Sequence, residues 1–110
     1  MNGPKPINGL PYRIRVYING QVLIPASVVR LLGIEWARYA RVIIRHSGRV
    51  IELRRVLLLK TRNTASRQFT IPRSVRLLFN IRPLDEVEVL SISPLSSDEF
   101  EEEFRVVNHG

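Results

Sequence analysis

The chain has 110 residues, 45% of them hydrophobic and 25% charged, enough for one ordinary domain or two very small ones. It has no cysteine and two distant histidines, His46 and His109, which excludes disulfide frameworks, thiolate catalysis and an imidazole metal cluster, so neither metal nor cofactor is expected. The net charge is +7, and it is unevenly spread: residues 1–84 hold 16 Lys/Arg against Glu35 and Glu52, whereas residues 85–110 hold Arg105 against eight acids.

Residues 1–9, with two Pro and two Gly, read as a flexible leader. Tyr12, Ile14, Val16 and Ile18 then alternate with Arg13, Arg15 and Tyr17, the period of a half-buried strand. Asn19-Gly20 signals a hairpin turn, since both residues tolerate positive φ, and Gln21–Ile24 is the return strand. Pro25 is placed at the first helical position, where its missing N–H costs nothing. Val28, Leu31 and Leu32 form the apolar stripe of a short helix, and Gly33 is the left-handed residue that ends it. Ala40, Val42 and Ile44 alternate with Arg41, Ile43 and Arg45 in a third strand. His46-Ser47-Gly48 turns the chain into a fourth strand over 49–53.

The same order follows again: a strand over 56–61, a longer turn over 62–66, a return strand over 67–71, a helix over 73–79 and a strand over 86–92. A loop over 94–98 precedes a last strand within 100–107; the Glu-rich segment 98–103 reads either as a disordered acidic tail or, from Phe100, Phe104, Val106 and Val107, as at least partly docked. No apolar run reaches the roughly 20 residues of a membrane span and no signal-peptide core opens the chain, so a cytoplasmic protein is expected.

The recurrence is a sequence repeat. Residues 21–34 lie over 68–81 at an offset of 47 without a gap, with identities at Gln21/Gln68, Ile24/Ile71, Pro25/Pro72, Ser27/Ser74, Val28/Val75, Leu31/Leu78 and Ile34/Ile81. Gly33 is matched by Asn80, the next-best residue for a left-handed helix end. The chain therefore divides into units 10–54 and 55–110, each too small to bury a comfortable core alone, and the two are expected to share one.

A strand, turn, strand ending in Ile-Pro, short helix and Gly-Ile followed by strand-turn-strand resembles the AbrB/SpoVT swapped-hairpin family. Gln21 to Ile34 with Val42, and Gln68 to Ile81 with Asp85, Val87 and Val89, carry the resemblance. It implies a mainly β fold: a small closed swapped-hairpin barrel of about eight strands with two short helices, formed as a pseudo-dimer within one chain. It also implies binding of double-stranded DNA, as a transcriptional regulator or nucleoid-associated protein, with arginines of the first hairpin and the short helix facing the DNA. The family's strand-opening arginine falls on Gln21 and Gln68, its helix arginine pair on Val29-Arg30 and Arg76-Leu77, and its Gly-Asp pair on Ala37-Arg38 in the first copy. A basic face is thus kept in sum and altered in pattern.

Fifteen of the 17 basic residues are arginine, whose planar fork suits phosphate and guanine edges. The candidate DNA-binding residues are Arg13, Arg15, Arg30, Arg62, Arg67, Gln68, Arg73 and Arg76. Arg73 most needs an anionic partner, because a cation at a helix N-terminus opposes the dipole; Arg30 and Arg76, near helix C-termini, also suit it structurally. The mechanism expected is phosphate neutralisation with counterion release and modest base readout. RNA binding, or an antitoxin-like protein-interaction module with a partner on the acidic tail, competes with this reading. A monomeric pseudo-dimer or weak homodimer is expected. No dyad, metal set or phosphate loop supports an enzyme.

Overall fold

The computed structural model describes residues 9–96 and the backbone of 104–107. Eight strands and two helices follow in the order β1 (Tyr12–Arg15), β2 (Gln21–Ile24), α1 (Ala26–Leu32), β3 (Tyr39–His46), β4 (Arg49–Leu57), β5 (Leu59–Lys60), β6 (Arg67–Thr70), α2 (Arg73–Leu78), β7 (Glu86–Leu95) and β8 (Phe104–Val107). They pair as two antiparallel sheets, β1-β7-β3-β4-β8 and β2-β6-β5. The mainly β character and both short helices are as the sequence predicts. The expected acidic segment 98–103 lies outside the described residues.

The first hairpin is not an ordinary one. Tyr17 and Gly20 close a tight turn, with the Tyr17 amide on the Gln21 carbonyl at 2.9 Å and the Gly20 amide on the Tyr17 carbonyl at 2.9 Å. The strands on either side nevertheless part: β1 pairs with β7 and β2 pairs with β6. Ile18, expected inward by alternation, is 74% exposed at the turn. Strand alternation ends at Val16, where the chain leaves the sheet, so the period no longer assigns a face. Prolines 25 and 72 sit at the N-cap with extended ψ of 151° and 144°, which for Pro25 is one position earlier than expected.

Pairing between the copies follows the repeat. In β2·β6, Val22 lies opposite Phe69, and these two residues are equivalent in the 47-residue offset. In β3·β7, Ile43 pairs with Ser91, the equivalent of Ile44, beside a register irregularity. A pseudo-two-fold relation thus runs through both inter-copy pairs. The helix ends repeat as well: Gly33 and Asn80 have φ of 63° and 55°, and the Ile34 and Ile81 amides reach back to the Val29 and Arg76 carbonyls at 3.2 and 2.9 Å.

The strands at the join between copies differ from those expected. No break separates strands 49–53 and 56–61; β4 runs from Arg49 to Leu57, and β5 is left with two residues. One half of β4 pairs β8 and its end pairs the start of β3 at Tyr39 and Ala40. The Leu58 amide then donates to the Arg38 carbonyl at 2.8 Å, as the Val16 amide donates to Asp85 at 2.8 Å, and Arg38 and Asp85 are repeat equivalents. β4 therefore serves both as the last strand of one copy and the first of the next.

One core draws on both copies, including Val22, Ile24, Val28, Val29, Ile44, Leu53, Phe69, Ile71, Val75 and Val89. Each such side chain contributes about 1.5–3 kcal/mol on burial. The helices bury Val28 with Val29, and Val75. Leu31, expected in the apolar stripe, is 65% exposed, because a helix of two turns rests on the core through one narrow line of contacts. At one seam between the sheets the buried Tyr12 hydroxyl donates to the Leu23 carbonyl at 2.7 Å, and burial pushes its phenol pKa well up, which keeps it a donor. No helix among the described residues is long and apolar enough to cross a membrane.

Candidate nucleic-acid interface

Each helix lies beside the hairpin of the other copy. The Ile71 amide, just ahead of α2, donates to the Gly20 carbonyl at 2.9 Å, and Ile24, just ahead of α1, is paired with Arg67 at the foot of the long second turn. Two corners result, on either side of the small sheet. One joins the 17–20 turn to α2 and its Arg73 and Arg76. The other joins the 61–66 turn, with Arg62 and neighbouring Lys60, to α1 and its Arg30. Between them the small sheet presents Gln21, Leu23, Gln68 and Thr70, which alternate with the buried Val22, Ile24 and Phe69.

The acids of the described residues are largely consumed. Residues 9–96 hold 15 Arg/Lys and five Asp/Glu. Glu86 pairs with Arg13 at 3.7 Å, Glu88 with Arg45 at 2.8 Å, and Glu52 with Arg41 at 3.6 Å and Arg54 at 3.4 Å. Asp85 is held by the Arg82 amide at 2.9 Å and by His46 at 3.0 Å. Arg15, Arg30, Arg38, Lys60, Arg62 and Arg73 are exposed and have no acidic partner among the described residues.

The predicted residues separate into three groups. Arg30, Arg62 and Arg73 stand exposed at the corners, with Gln68 half-buried on the sheet between them. Arg13 and Arg15 lie on β1 in the larger sheet, opposite Glu88 and Glu86, on a face of alternating charge. Arg67 and Arg76 are committed to the fold. Arg67 is 5% exposed, and its guanidinium donates to the carbonyls of Ala65, Ser66 and Glu35 at 2.7, 3.1 and 3.1 Å. Arg76 donates from Nε to the Ile71 carbonyl at 2.9 Å.

Several features were not singled out from sequence. Lys60 and Arg38 add to the corner built on α1, where Trp36 is 67% exposed. Arg55 stacks on Tyr39, 4.1 Å from the ring centroid. His46, 8% exposed, bonds Asp85 across the copies and lines a cleft with Ser47, Phe79, Asn80 and Arg82. Its inward place follows from the alternation of Ala40, Val42, Ile44 and His46, a signal present in the sequence. The Arg82 amide foremost, and then His46, hold the Asp85 carboxyl below its ordinary value.

Among the described residues no cluster of three or more His, Cys, Asp or Glu is placed to hold a metal ion. Comparison with protein families, curated proteins and solved structures gives no match to this chain.

Proposed function

We propose that the chain is a DNA-binding protein of the AbrB/SpoVT type, acting as a transcriptional regulator or nucleoid-associated factor. Its two copies form an intramolecular pseudo-dimer, and its two sheets are the parts of one swapped-hairpin barrel. The inter-copy pairing of β2 with β6 and β3 with β7, and the Tyr12–Leu23 bond across one seam, support the barrel.

The observation that carries the function is the set of exposed cations at the two corners that have no acidic partner among the described residues: Arg30, Lys60, Arg62 and Arg73. A cation at the start of α2 opposes the helix dipole, and a phosphate there offsets that cost. Arginine–phosphate contacts position the duplex and release counterions, which makes affinity strongly salt-dependent.

Fluorescence anisotropy with a mixed-sequence duplex of about 25 base pairs, across a salt series and with matched RNA, tests the reading. Micromolar or tighter binding with a steep negative salt slope, weakened by Arg30→Glu and Arg73→Glu, is expected. Tighter binding of RNA moves the assignment to an RNA partner. No binding of either at low salt removes both and leaves a protein-interaction module.

A further inference from the structure

The repeat makes the two hairpin tips equivalent, yet they are built differently. The first tip, Tyr17-Ile18-Asn19-Gly20, carries no cation. The second is five residues longer when measured from Val16 and Leu58, the strand ends that hold the equivalent Asp85 and Arg38 carbonyls. It carries Lys60, Arg62 and Asn63.

The longer tip is braced from within. The buried Arg67 guanidinium gathers the Ala65 and Ser66 carbonyls and ties them to Glu35 after α1. Three hydroxyls cross its neck. Thr61 bonds Ser66, Ser66 bonds Thr64, and Thr64 donates to the Thr61 carbonyl at 3.1 Å while accepting the Ser66 amide at 3.2 Å. One proton arrangement satisfies the whole ring, with Thr61 donating to Ser66 and Ser66 to Thr64.

This bracing holds Arg62 at φ 52°, the left-handed region, which costs a residue with a Cβ about 1–2 kcal/mol. A backbone held so must be over-determined by its surroundings. Arg62 and Asn63 are nonetheless exposed and make no hydrogen bond or ion pair among the described residues. A fixed platform thus presents two adjacent side chains with the forks that read base edges, Arg for guanine and Asn for adenine. Pre-organisation lowers the ordering cost of such contacts.

We infer that the 61–66 turn is a base-reading arm, with Arg62 and Asn63 as specificity residues and Arg67 and the hydroxyl ring as positioning groups. Because the other tip lacks this equipment, the protein reads DNA from one side and prefers a non-palindromic site, in place of the symmetric half-sites that two equal tips would select. This rests on the DNA-binding reading.

Selection from a random duplex library with the full chain tests it, followed by competition binding of the enriched and mixed-sequence duplexes. A one-sided motif is expected. Arg62→Ala, Arg62→Lys and Asn63→Ala each lower discrimination at one or two adjacent base pairs by about tenfold. Affinity for mixed-sequence duplex falls by no more than about threefold in Asn63→Ala, while Arg62→Ala also loses one phosphate-facing cation and weakens mixed-sequence binding, by less than it weakens binding of the enriched duplex. Ser66→Ala, which opens the hydroxyl ring, lowers discrimination with mixed-sequence affinity kept. A palindromic motif, no motif with binding retained, or an equal loss on all duplexes in Arg62→Ala overturns the arm and leaves DNA binding standing. Absence of binding to any duplex overturns both.

Discussion

The Arg76 side chain lies directly across Gly20. A Cβ at Gly20 would stand 2.5 Å from Arg76 Nε, 2.7 Å from Cζ and 2.8 Å from Cδ, and Gly20 itself has φ 79°. Arg76 belongs to α2 of the second copy and Gly20 to the turn of the first, so this contact sets how closely the helix approaches the turn. In the repeat, Gly20 corresponds to Arg67 and Arg76 to Val29. The two halves thus place their inward-turned arginine from opposite partners, the half-buried Arg76 from a helix and the buried Arg67 from a strand.

Gly20→Ala is expected to destabilise the protein by about 1–2 kcal/mol from the positive φ alone, with more from displacing Arg76. Thermal or urea unfolding of Gly20→Ala, Arg76→Ala and the double variant separates the two parts. The cost of Gly20→Ala falls in the Arg76→Ala background if the contact is responsible.

Arg67→Met removes three charge-assisted hydrogen bonds to carbonyls that stay in place. A loss of about 2–3 kcal/mol is expected, since bonds to charged groups contribute about 1.5–3 kcal/mol each and water can re-satisfy part of the loop. Urea unfolding measures the loss, and limited proteolysis should place the first new cleavage within 61–66.

Phe69→Ala, at the pseudo-two-fold pair with Val22, removes a fully buried ring. The expected cost is about 3–5 kcal/mol, read from the urea midpoint. Leu31→Ala, at an exposed position, should change stability by less than about 0.5 kcal/mol.

The Asp85 carboxyl is held below its ordinary value of 3.8. A depressed carboxylate contributes stability that is present above its unfolded value and is lost as pH falls through its folded value. Unfolding midpoints at pH 7 and pH 3 should therefore differ less for Asp85→Asn than for the parent. Partial exposure of Asp85 keeps the difference modest.

Trp36 is the one tryptophan of the chain and is 67% exposed beside the corner built on α1. Its emission should lie near that of a solvated indole; on the proposed DNA-binding reading, added duplex should shift or quench it. Trp36→Phe should leave the melting temperature within about 2 °C, as expected for an exposed site.

Local chemistry made much of this legible in the chain. Gly33 and Asn80 could be read as left-handed helix ends because few residues other than Gly and Asn adopt positive φ cheaply. The inward places of Val42 and Ile44 followed from a period of two, whereas His46, read as the start of the turn, continues that alternation as the last residue of β3. The candidate interface was legible less completely. Arg30, Arg62 and Arg73 emerge exposed at the corners, whereas Arg67 and Arg76, with the same chemistry and similar spacing, turn inward to carbonyls. Nothing in an arginine's neighbours along the chain states whether a distant carbonyl, here that of Glu35, will meet it.

By itself the sequence determined the repeat and the excess of arginine, which are read from residue identities alone, and the order of strands and helices and the helix ends, which depend on residues within a few positions of one another. Only the tertiary structure decided that β1 and β2 part to different partners, that β4 serves both copies, and which arginines remain for solvent. Those outcomes depend on long-range pairing, in which burying Val22 against Phe69 and closing the small sheet outweighs the local preference of Asn19-Gly20 for a simple hairpin.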